Sequence, residues 1–528
     1  MPKFVSRKVG AVKPLVLAVI CALSPRSGRA AQSPVQDLYQ AGNFTKVVGL
    51  LGPIVKAHPM QSQARILLIR ACLRLDGTKW RDAEALAKVG VQVDPQSAAM
   101  QGLLSLAYMR GGRPSLAITA ASAALATNPN SYYALVASSR VELWNGDKAK
   151  ARATLQHAVT LRPKRAMAYY YLLSAMTDHH HENYKSLIDH YIQLHAKGYP
   201  HTQLSAALKF DQHWGGRNDD QAPAAKKSSA DGKVSDNGYS YSVPMYRQHD
   251  DVILPVRIRG VLFHLLLDTG AGDGVVLNSD SAERLGIQPN GQSVEFGASG
   301  EEVGKSFDNQ TMLVGRQEFD GVSVSTVQRN QGDITDGLIG GANFKHSVVT
   351  LDFTHNQLVV STGPKATAPP PAPGDALMTV PFHYYDGYIF VKVRLADEQH
   401  THWALLDTGC EPVGVLSLIT ARRLAKAQRK DAYAEVRVNQ RIGVGTTDTS
   451  FSALVFRFAV DLTMKRSAGV PFFMEMNPIF GASLVDSQVS PGFNFQICGI
   501  VGIPYLTSAR RVTIDYPART LTLELPNN

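Results

Sequence analysis

Cysteine is scarce in this chain: Cys21, Cys72, Cys410 and Cys498 in 528 residues. That excludes a disulfide framework, so stability must come from buried apolar cores. No apolar run approaches the roughly 20 residues of a membrane-spanning helix, so no stable membrane span is expected. No stripe of Lys and Arg interleaved with aromatics marks a nucleic-acid surface, and no nucleic-acid partner is expected. One segment gathers metal-ligating types, Asp178-His179-His180-His181-Glu182. Consecutive residues on a turn converge poorly on one ion and no distant partners stand out, so no metal is expected. Apolar content of 44% and charge of 19% are those of an ordinary globular protein, and the length calls for several domains.

The start of the chain has its own composition. Lys3, Arg7, Lys8 and Lys13 precede the apolar stretch Pro14–Leu23, and Gly28-Arg29-Ala30 follows. A basic segment, about ten apolar residues and small residues before a cut is the pattern of a signal peptide, expected over 1–30. Cys21 follows bulky Ile20, which argues against a lipoprotein cleavage site. The expected location is exported, periplasmic or extracellular. Residues 1–30 hold six Lys or Arg and no acid, so their removal takes the formal charge from +10 to +4. The overall basicity is thus largely a property of the leader.

Residues 34–212 are Ala- and Leu-rich, with helical spacing and no strand alternation. Prolines recur at 59, 95, 129, 163 and 200, at intervals of 36, 34, 34 and 37. Within a period, small and apolar residues repeat: Ala107-Tyr108, Gly111-Gly112, Ala117 and Ala124-Leu125, then Ala134-Leu135, Leu143-Trp144 and Gly146-Asp147. This resembles the tetratricopeptide repeat (TPR), which implies a solenoid of helix pairs with a concave face for a protein partner. A purely structural prop is the competing role. Residues 213–238 are Gly, Ala, Lys, Ser and Asp, a flexible linker.

The second half carries Asp-Thr-Gly twice, each at the end of an apolar run: Leu265-Leu266-Leu267-Asp268-Thr269-Gly270-Ala271 and Ala404-Leu405-Leu406-Asp407-Thr408-Gly409-Cys410. Each has a matching second part, Asp336-Gly337-Leu338-Ile339-Gly340 and Cys498-Gly499-Ile500-Val501-Gly502. Each then runs into a strand ending in Asp, Ser347–Asp352 and Arg511–Asp515, and a short alternating strand. This is an internal repeat. Two units that each deliver one carboxylate offer what water-mediated peptide hydrolysis requires: one acid holds a proton while the other, ionised, activates water.

These residues resemble the aspartic proteases of the retropepsin and pepsin clan, especially the bacterial retropepsin-like group. The resemblance implies that Asp268 and Asp407 meet across a pseudo-twofold axis as the catalytic pair. Thr269 and Thr408 would lock the two loops together. Gly270 and Gly409 would face the carboxylates with their N–H groups. Phe296–Gly304 is a glycine-rich flap, with Gly297 and Gly300 in it. The groove would be completed by Leu338, Ile339 and Gly340 and by Ile500, Val501 and Gly502. Where pepsin-like enzymes place a hydroxyl after Asp-Thr-Gly, this chain has Ala271 and Cys410. The second flap is less distinct, with Arg441–Thr447 as a candidate. Asp461–Gln496, rich in Phe, Met and Pro, reads as an insertion forming a loop on its own small core, or a lid with Phe472, Phe473, Met474, Met476, Ile479 and Phe480. Cys410 and Cys498 fall on neighbouring segments, as a bridge or, the expected case, two buried thiols.

The expected fold class is therefore multidomain: an all-α TPR-like solenoid followed by an all-β bilobal aspartic-protease (retropepsin/pepsin-like) fold. The first lobe is expected at 239–363, a semi-rigid Pro-rich spacer at 364–376 and the second lobe at 377–528. The expected activity is aspartic-type endopeptidase, acting on a peptide or protein substrate, as a monomer and without cofactor. A catalytically inactive protein of the same fold, binding partners through solenoid and groove, is the alternative. Pairing of identical lobes from two chains is a further, less necessary, arrangement.

Overall fold

The structure, a computed structural model, describes residues 34–175 save 76–78, residues 187 and 191, and most of 239–526. Outside it within that last span lie 249, 273, 298–299, 329–334, 374, 396–400, 413, 428–432, 441–448, 457–459, 465–471, 477–479, 483–484, 486–488 and 490–494. The leader, the linker at 213–238 and the histidine cluster at 179–181 therefore lie outside the described residues. The chain divides into two compact units, 1–204 and 205–528.

In the first unit, helices alternate in antiparallel pairs. Ser62–Arg74, Ala98–Arg110, Tyr132–Trp144 and Ala166–Ala175 each precede or follow a partner, Phe44–Ala57, Lys79–Val93, Pro114–Thr127 or Lys148–Leu161. Glycines at positive φ close the turns inside a pair: Gly42 at 76°, Gly112 at 69° and Gly146 at 83°. A left-handed residue costs glycine nothing, which makes these turns tight. Pro59, Pro95, Pro129 and Pro163 occupy the turns between pairs, where no helical N–H is lost. Small residues then allow close packing. A methyl added at Gly102 would lie 2.5 Å from the Tyr133 carbonyl oxygen, so Ala98–Arg110 and Tyr132–Trp144 touch through backbone. The expected solenoid is present over the described part; residues 192–212 lie outside the described residues. No helix among the described residues is long and apolar enough to cross a membrane.

The second unit repeats one topology. Among the described residues, the first lobe's sheet runs Tyr246–Gln248, Asp251–Ile258, Val261–Asp268, Gly337–Gly340, Val275–Asn278, Gln317–Val327, Gly300–Val314, Gly291–Gly297. The second runs Ala376–Tyr385, Tyr388–Leu395, His402–Asp407, Gly499–Gly502, Gly414–Ser417, Phe480–Ala482, Thr449–Phe456, Tyr433–Gln440. The pairing senses match as well. The aspartate-bearing strand is parallel to the Gly-apolar-apolar-Gly strand in both, and Val275–Asn278 and Gly414–Ser417 sit antiparallel to it on the far side.

This correspondence corrects the reading of Asp461–Gln496 as an insertion. In the first lobe Val314 pairs with Gln317 and Met312 with Phe319, and the same ribbon touches Val256–Ile258. In the second, Met464 pairs with Phe472 and Leu462 with Met474, and Val393–Leu395 takes the place of Val256–Ile258. So Val460–Met464 and Phe472–Met476 form a hairpin that continues the lobe, and Phe480–Ala482 is a sheet strand. In the first lobe the ribbon carries register shifts between Phe307 and Met312. Such irregularities interrupt the period-two pattern by which a long strand is recognised. The candidate second flap, 441–447, falls between Tyr433–Gln440 and Thr449–Phe456, the hairpin equivalent to the first flap.

A shared antiparallel sheet joins the lobes, in the order Tyr239–Pro244, Gln357–Thr362, Ser347–Asp352, Arg511–Asp515, Thr520–Leu525, Ala376–Pro381. Its central pairing sets Thr350 opposite Thr513, the same position of the two repeats, and their hydroxyls hydrogen-bond at 2.9 Å. The pseudo-twofold axis passes here, within a single chain. One continuous apolar core runs from the first lobe through this sheet into the second. The Pro-rich segment is not a free spacer. The Ala372 N–H donates to Glu524 Oε1 at 2.7 Å, and Arg511 donates to both Glu524 and the Pro370 carbonyl, at 2.7 and 3.0 Å.

A chain of residues 239–528 alone should therefore be soluble and unfold cooperatively, with Tm within about 5 °C of the same unit in the full chain. Insoluble collapse, measured by sedimentation and calorimetry, would show that the solenoid is needed as a prop.

Candidate active site

Asp268 and Asp407 stand at the ends of Val261–Asp268 and His402–Asp407, opposite Gly340 and Gly502 of the parallel neighbours. The glycines there are steric requirements. A methyl at Gly337, at φ +149°, would lie 2.1 Å from the Val276 carbonyl oxygen. One at Gly502 would lie 1.9 Å from that of Pro412. Gly337 thus lies at backbone contact with the antiparallel strand beside it, and Gly502 with the segment that follows Asp407.

The two loops hold each other through threonine. The Thr269 hydroxyl donates to the Leu406 carbonyl at 2.8 Å and accepts the Thr408 N–H at 3.0 Å. Reciprocally, the Thr408 hydroxyl donates to the Leu267 carbonyl at 2.6 Å and accepts the Thr269 N–H at 3.0 Å. Both threonines are buried, so each bond forms away from competing water.

This brings the carboxylates together. The Gly270 N–H donates to Asp268 Oδ1 at 2.7 Å and the Gly409 N–H to Asp407 Oδ1 at 2.9 Å. A methyl at Gly270 would lie 2.6 Å from Asp407 Oδ2, and one at Gly409 2.8 Å from Asp268 Oδ2. Each carboxylate therefore lies against the other lobe's glycine, and the two hydrogen-bond to one another. Burial raises the Asp268 carboxyl above its ordinary range, offset in part by bonds from Asp407 and the Gly270 N–H. Asp407 is raised well above it, by burial and then by the Asp268 charge and hydrogen bond. Two acids this close share a proton, and their titration belongs to the pair.

Ala271 offers no donor to the pair. Cys410 offers none either: its Sγ is directed at the Pro412 carbonyl, at 3.8 Å. Burial, with the Asp407 and Asp268 charges behind it, pushes this thiol well above its usual range and keeps it neutral. Cys410 and Cys498 form no disulfide, and both remain thiols, the second of the two arrangements their positions allowed. The expected groove residues divide. Leu338 and Ile500 are half-buried, but Ile339 and Val501 point into the core and do not line a groove, because successive strand residues face opposite sides. Gly297 and Gly300 face each other at the end of the first flap hairpin, whose tip lies outside the described residues. Among the described residues no group of His, Cys, Asp and Glu could hold a metal ion.

Two supports were not singled out from sequence. Asp336, immediately before Gly337, accepts the His264 N–H at 2.8 Å, the Ser281 hydroxyl at 2.9 Å and Arg284 at 2.7 Å, fastening the strand that backs Asp268. An acid before the glycine was the available signal, but its partners are scattered along the chain. Tyr516 is buried under the first lobe's catalytic segment, its hydroxyl 2.9 Å from where a methyl at Gly341 would sit.

Comparison with known proteins agrees with this architecture. Residues 254–342 match the aspartyl protease family, and residues 70–132 match the tetratricopeptide repeat. The chain thus carries TPR repeats followed by an aspartyl protease domain. None of the curated proteins matches it. Among solved structures, MamA is 20% identical, over 35% of this chain and 98% of that one, with a TM-score of 0.21. A thermophilic TPR protein of Thermus thermophilus is 21% identical, over 34% and 93%, with a TM-score of 0.25. A retropepsin-like aspartic protease from Rickettsia conorii is 18% identical, over 24% and 93%, with a TM-score of 0.18.

The raised carboxyls make a stability prediction. Below the ordinary value of 3.8 the carboxyl is protonated in both states and costs nothing; as pH rises toward the raised folded value the unfolded chain loses a proton that the folded one keeps, and the penalty grows until it is complete above that value. Asp407→Asn removes it. The variant should melt above wild type at pH 7, with the difference vanishing below about pH 3.8. Equal Tm values across that range, by calorimetry, would mean that Asp407 is not held at a cost.

Proposed function

We propose that this chain is an exported aspartic-type endopeptidase whose solenoid recruits a protein partner or substrate. The observation that carries the reading is the carboxylate pair made by one chain, locked by four threonine hydrogen bonds at the meeting of two equivalent lobes. A shared proton gives such a pair both halves of the chemistry. The ionised carboxylate takes a proton from water as the oxygen attacks the scissile carbonyl. The protonated member donates to that carbonyl's oxygen as negative charge develops there, and the proton gained from water then passes to the leaving nitrogen. The Gly270 and Gly409 N–H groups hold the carboxyls in plane for both steps.

Because the pair is complete within a chain, a monomer suffices. Export rests on the leader pattern over residues 1–30. The recruiting role rests on the repeats and on charge: residues 34–204 hold 19 Lys or Arg against 10 Asp or Glu, which suits an acidic partner. An inactive scaffold finds no support in the dyad, where both acids and both glycine donors are in place.

The test is cleavage of an unbiased peptide pool, with and without a statine-type inhibitor. Turnover should be inhibitor-sensitive, and Asp268→Asn and Asp407→Asn should each lower kcat by about a thousandfold or more, since the pair acts as a unit. No cleavage by folded wild type, or substantial activity left in one variant, would sink the proposal.

The pH profile follows from Ala271 and Cys410. A hydroxyl at these positions would stabilise the ionised form and lower the acid limb; neither residue supplies it. The optimum should lie from mildly acidic to near neutral, and replacing both residues by Ser should move the acid limb of kcat/KM downward. A wild-type optimum near that of a gastric enzyme, or an unmoved limb in the double variant, would show that another donor controls the dyad.

A further inference from the structure

In the solenoid the first helices of the pairs, Ser62–Arg74, Ala98–Arg110, Tyr132–Trp144 and Ala166–Ala175, stand side by side in a row. Tyr132 ties the third to the fourth: its hydroxyl donates to the Arg165 carbonyl at 3.3 Å and accepts the Ala168 N–H at 3.0 Å. Arg140 lies over the Tyr171 ring at 4.8 Å. Tyr132–Trp144 thus meets the row on both edges and packs on Pro114–Thr127 and Lys148–Leu161 behind it. Its inner side is the side left for water.

That side is covered as well. Every residue of Tyr132–Trp144 except Val141 is buried, Arg140 and Glu142 included, at 4% and 7% exposure. A surface helix keeps a polar face in water, and one buried all round has neighbours on every side. Tyr191 identifies a neighbour. It is helical and fully buried, at 0% exposure. Its ring centre lies 6.5 Å from that of Tyr170, in the last helix of the row. The charge of Arg74, in the first helix of the row, also acts on its hydroxyl, against the burial that raises that hydroxyl above its ordinary range. By the period from Pro163 to Pro200, Tyr191 belongs to the second helix of the last pair, behind Ala166–Ala175 and with two whole pairs between it and Arg74. Proximity to Tyr170 and Arg74 together places it on the inner side instead. Leu187, also helical and one turn earlier, shares its face.

We infer that the segment bearing Leu187 and Tyr191 docks on the inner face of the solenoid as the protein's own ligand, and that a partner helix must displace Tyr191 to bind there. The inference rests on the recruiting role proposed for the solenoid. Leu and Tyr one helical turn apart are the anchors of a helix laid in a groove. An intramolecular occupant lowers the apparent affinity of any competitor by the fraction of time the face stands open.

Two measurements on the full chain test this. In the first, Tyr191 is replaced by the photoreactive analogue benzoylphenylalanine, and its cross-links are mapped by mass spectrometry. They should reach residues 62–74 as well as 166–175. Cross-links to 166–175 alone would show that Tyr191 packs only on its neighbour in sequence, and would overturn the inference. In the second, a fluorescein-labelled peptide of residues 182–198 is titrated and read by anisotropy. Tyr191→Ala should bind it about tenfold or more tighter than wild type, the effect of withdrawing one buried aromatic anchor. Tyr191→Phe should behave as wild type, and a peptide with Ala in place of its Tyr191 should lose the gain. Equal binding by wild type and folded Tyr191→Ala would also overturn the inference. The cross-link decides even where Tyr191→Ala does not fold. Cleavage of an acidic protein substrate separates the two claims. Peptide binding gained in Tyr191→Ala with unchanged cleavage defeats recruitment alone. Absent cross-links to 62–74, with cleavage that falls on deletion of the solenoid, defeats self-occupation alone.

Discussion

Two ionised carboxylates in contact would repel one another, and the second unit is arranged to hold Asp268 and Asp407 together with a proton between them. The Thr269 and Thr408 bonds cross between lobes at the point of strain, and each satisfies a donor and an acceptor that burial would otherwise leave costly. Farther down the axis, the Thr350–Thr513 contact and the shared antiparallel sheet fix the same relation at longer range. Register in that sheet has to be strict. A slip of one residue would turn the buried side of Arg511–Asp515, Val512 and Ile514, outward and pull the two loops out of line.

The glycines follow from the same constraint. Gly270 and Gly409 admit the opposite carboxylate, while Gly337 and Gly499 admit the backbone of the antiparallel strand beside them and Gly502 that of Cys410 and Pro412. Removing a Cβ at these points is what lets four loops converge on so small a volume.

The solenoid solves a different problem. Its helices bury alanine and glycine against each neighbouring pair, with left-handed glycines and prolines at fixed intervals setting the turns. Each pair depends on adjacent pairs alone, so the repeat is written locally, in spacing. Sheet lobes depend on strands far apart in the chain, and little of that is local.

That difference decides what could be read from the chain by itself. The repeat of Asp-Thr-Gly and Gly-apolar-apolar-Gly, and the proline period near 34, were legible because each is a short pattern imposed by backbone sterics. They determined the two architectures, their order and the identity of the paired acids. The second lobe's outer ribbon was not legible, because its pairing with Val393–Leu395 joins strands far apart in the chain, and Val460–Met464 with Phe472–Met476 looked like an insertion until its pairings matched those of 312–319. Nor did the pattern separate Ile339 and Val501, which face the core, from Leu338 and Ile500 beside them. The role of Asp336, and the tying down of the Pro-rich segment by Glu524, belong to tertiary structure alone: each joins residues distant in sequence, and no local pattern records which distant strands will meet.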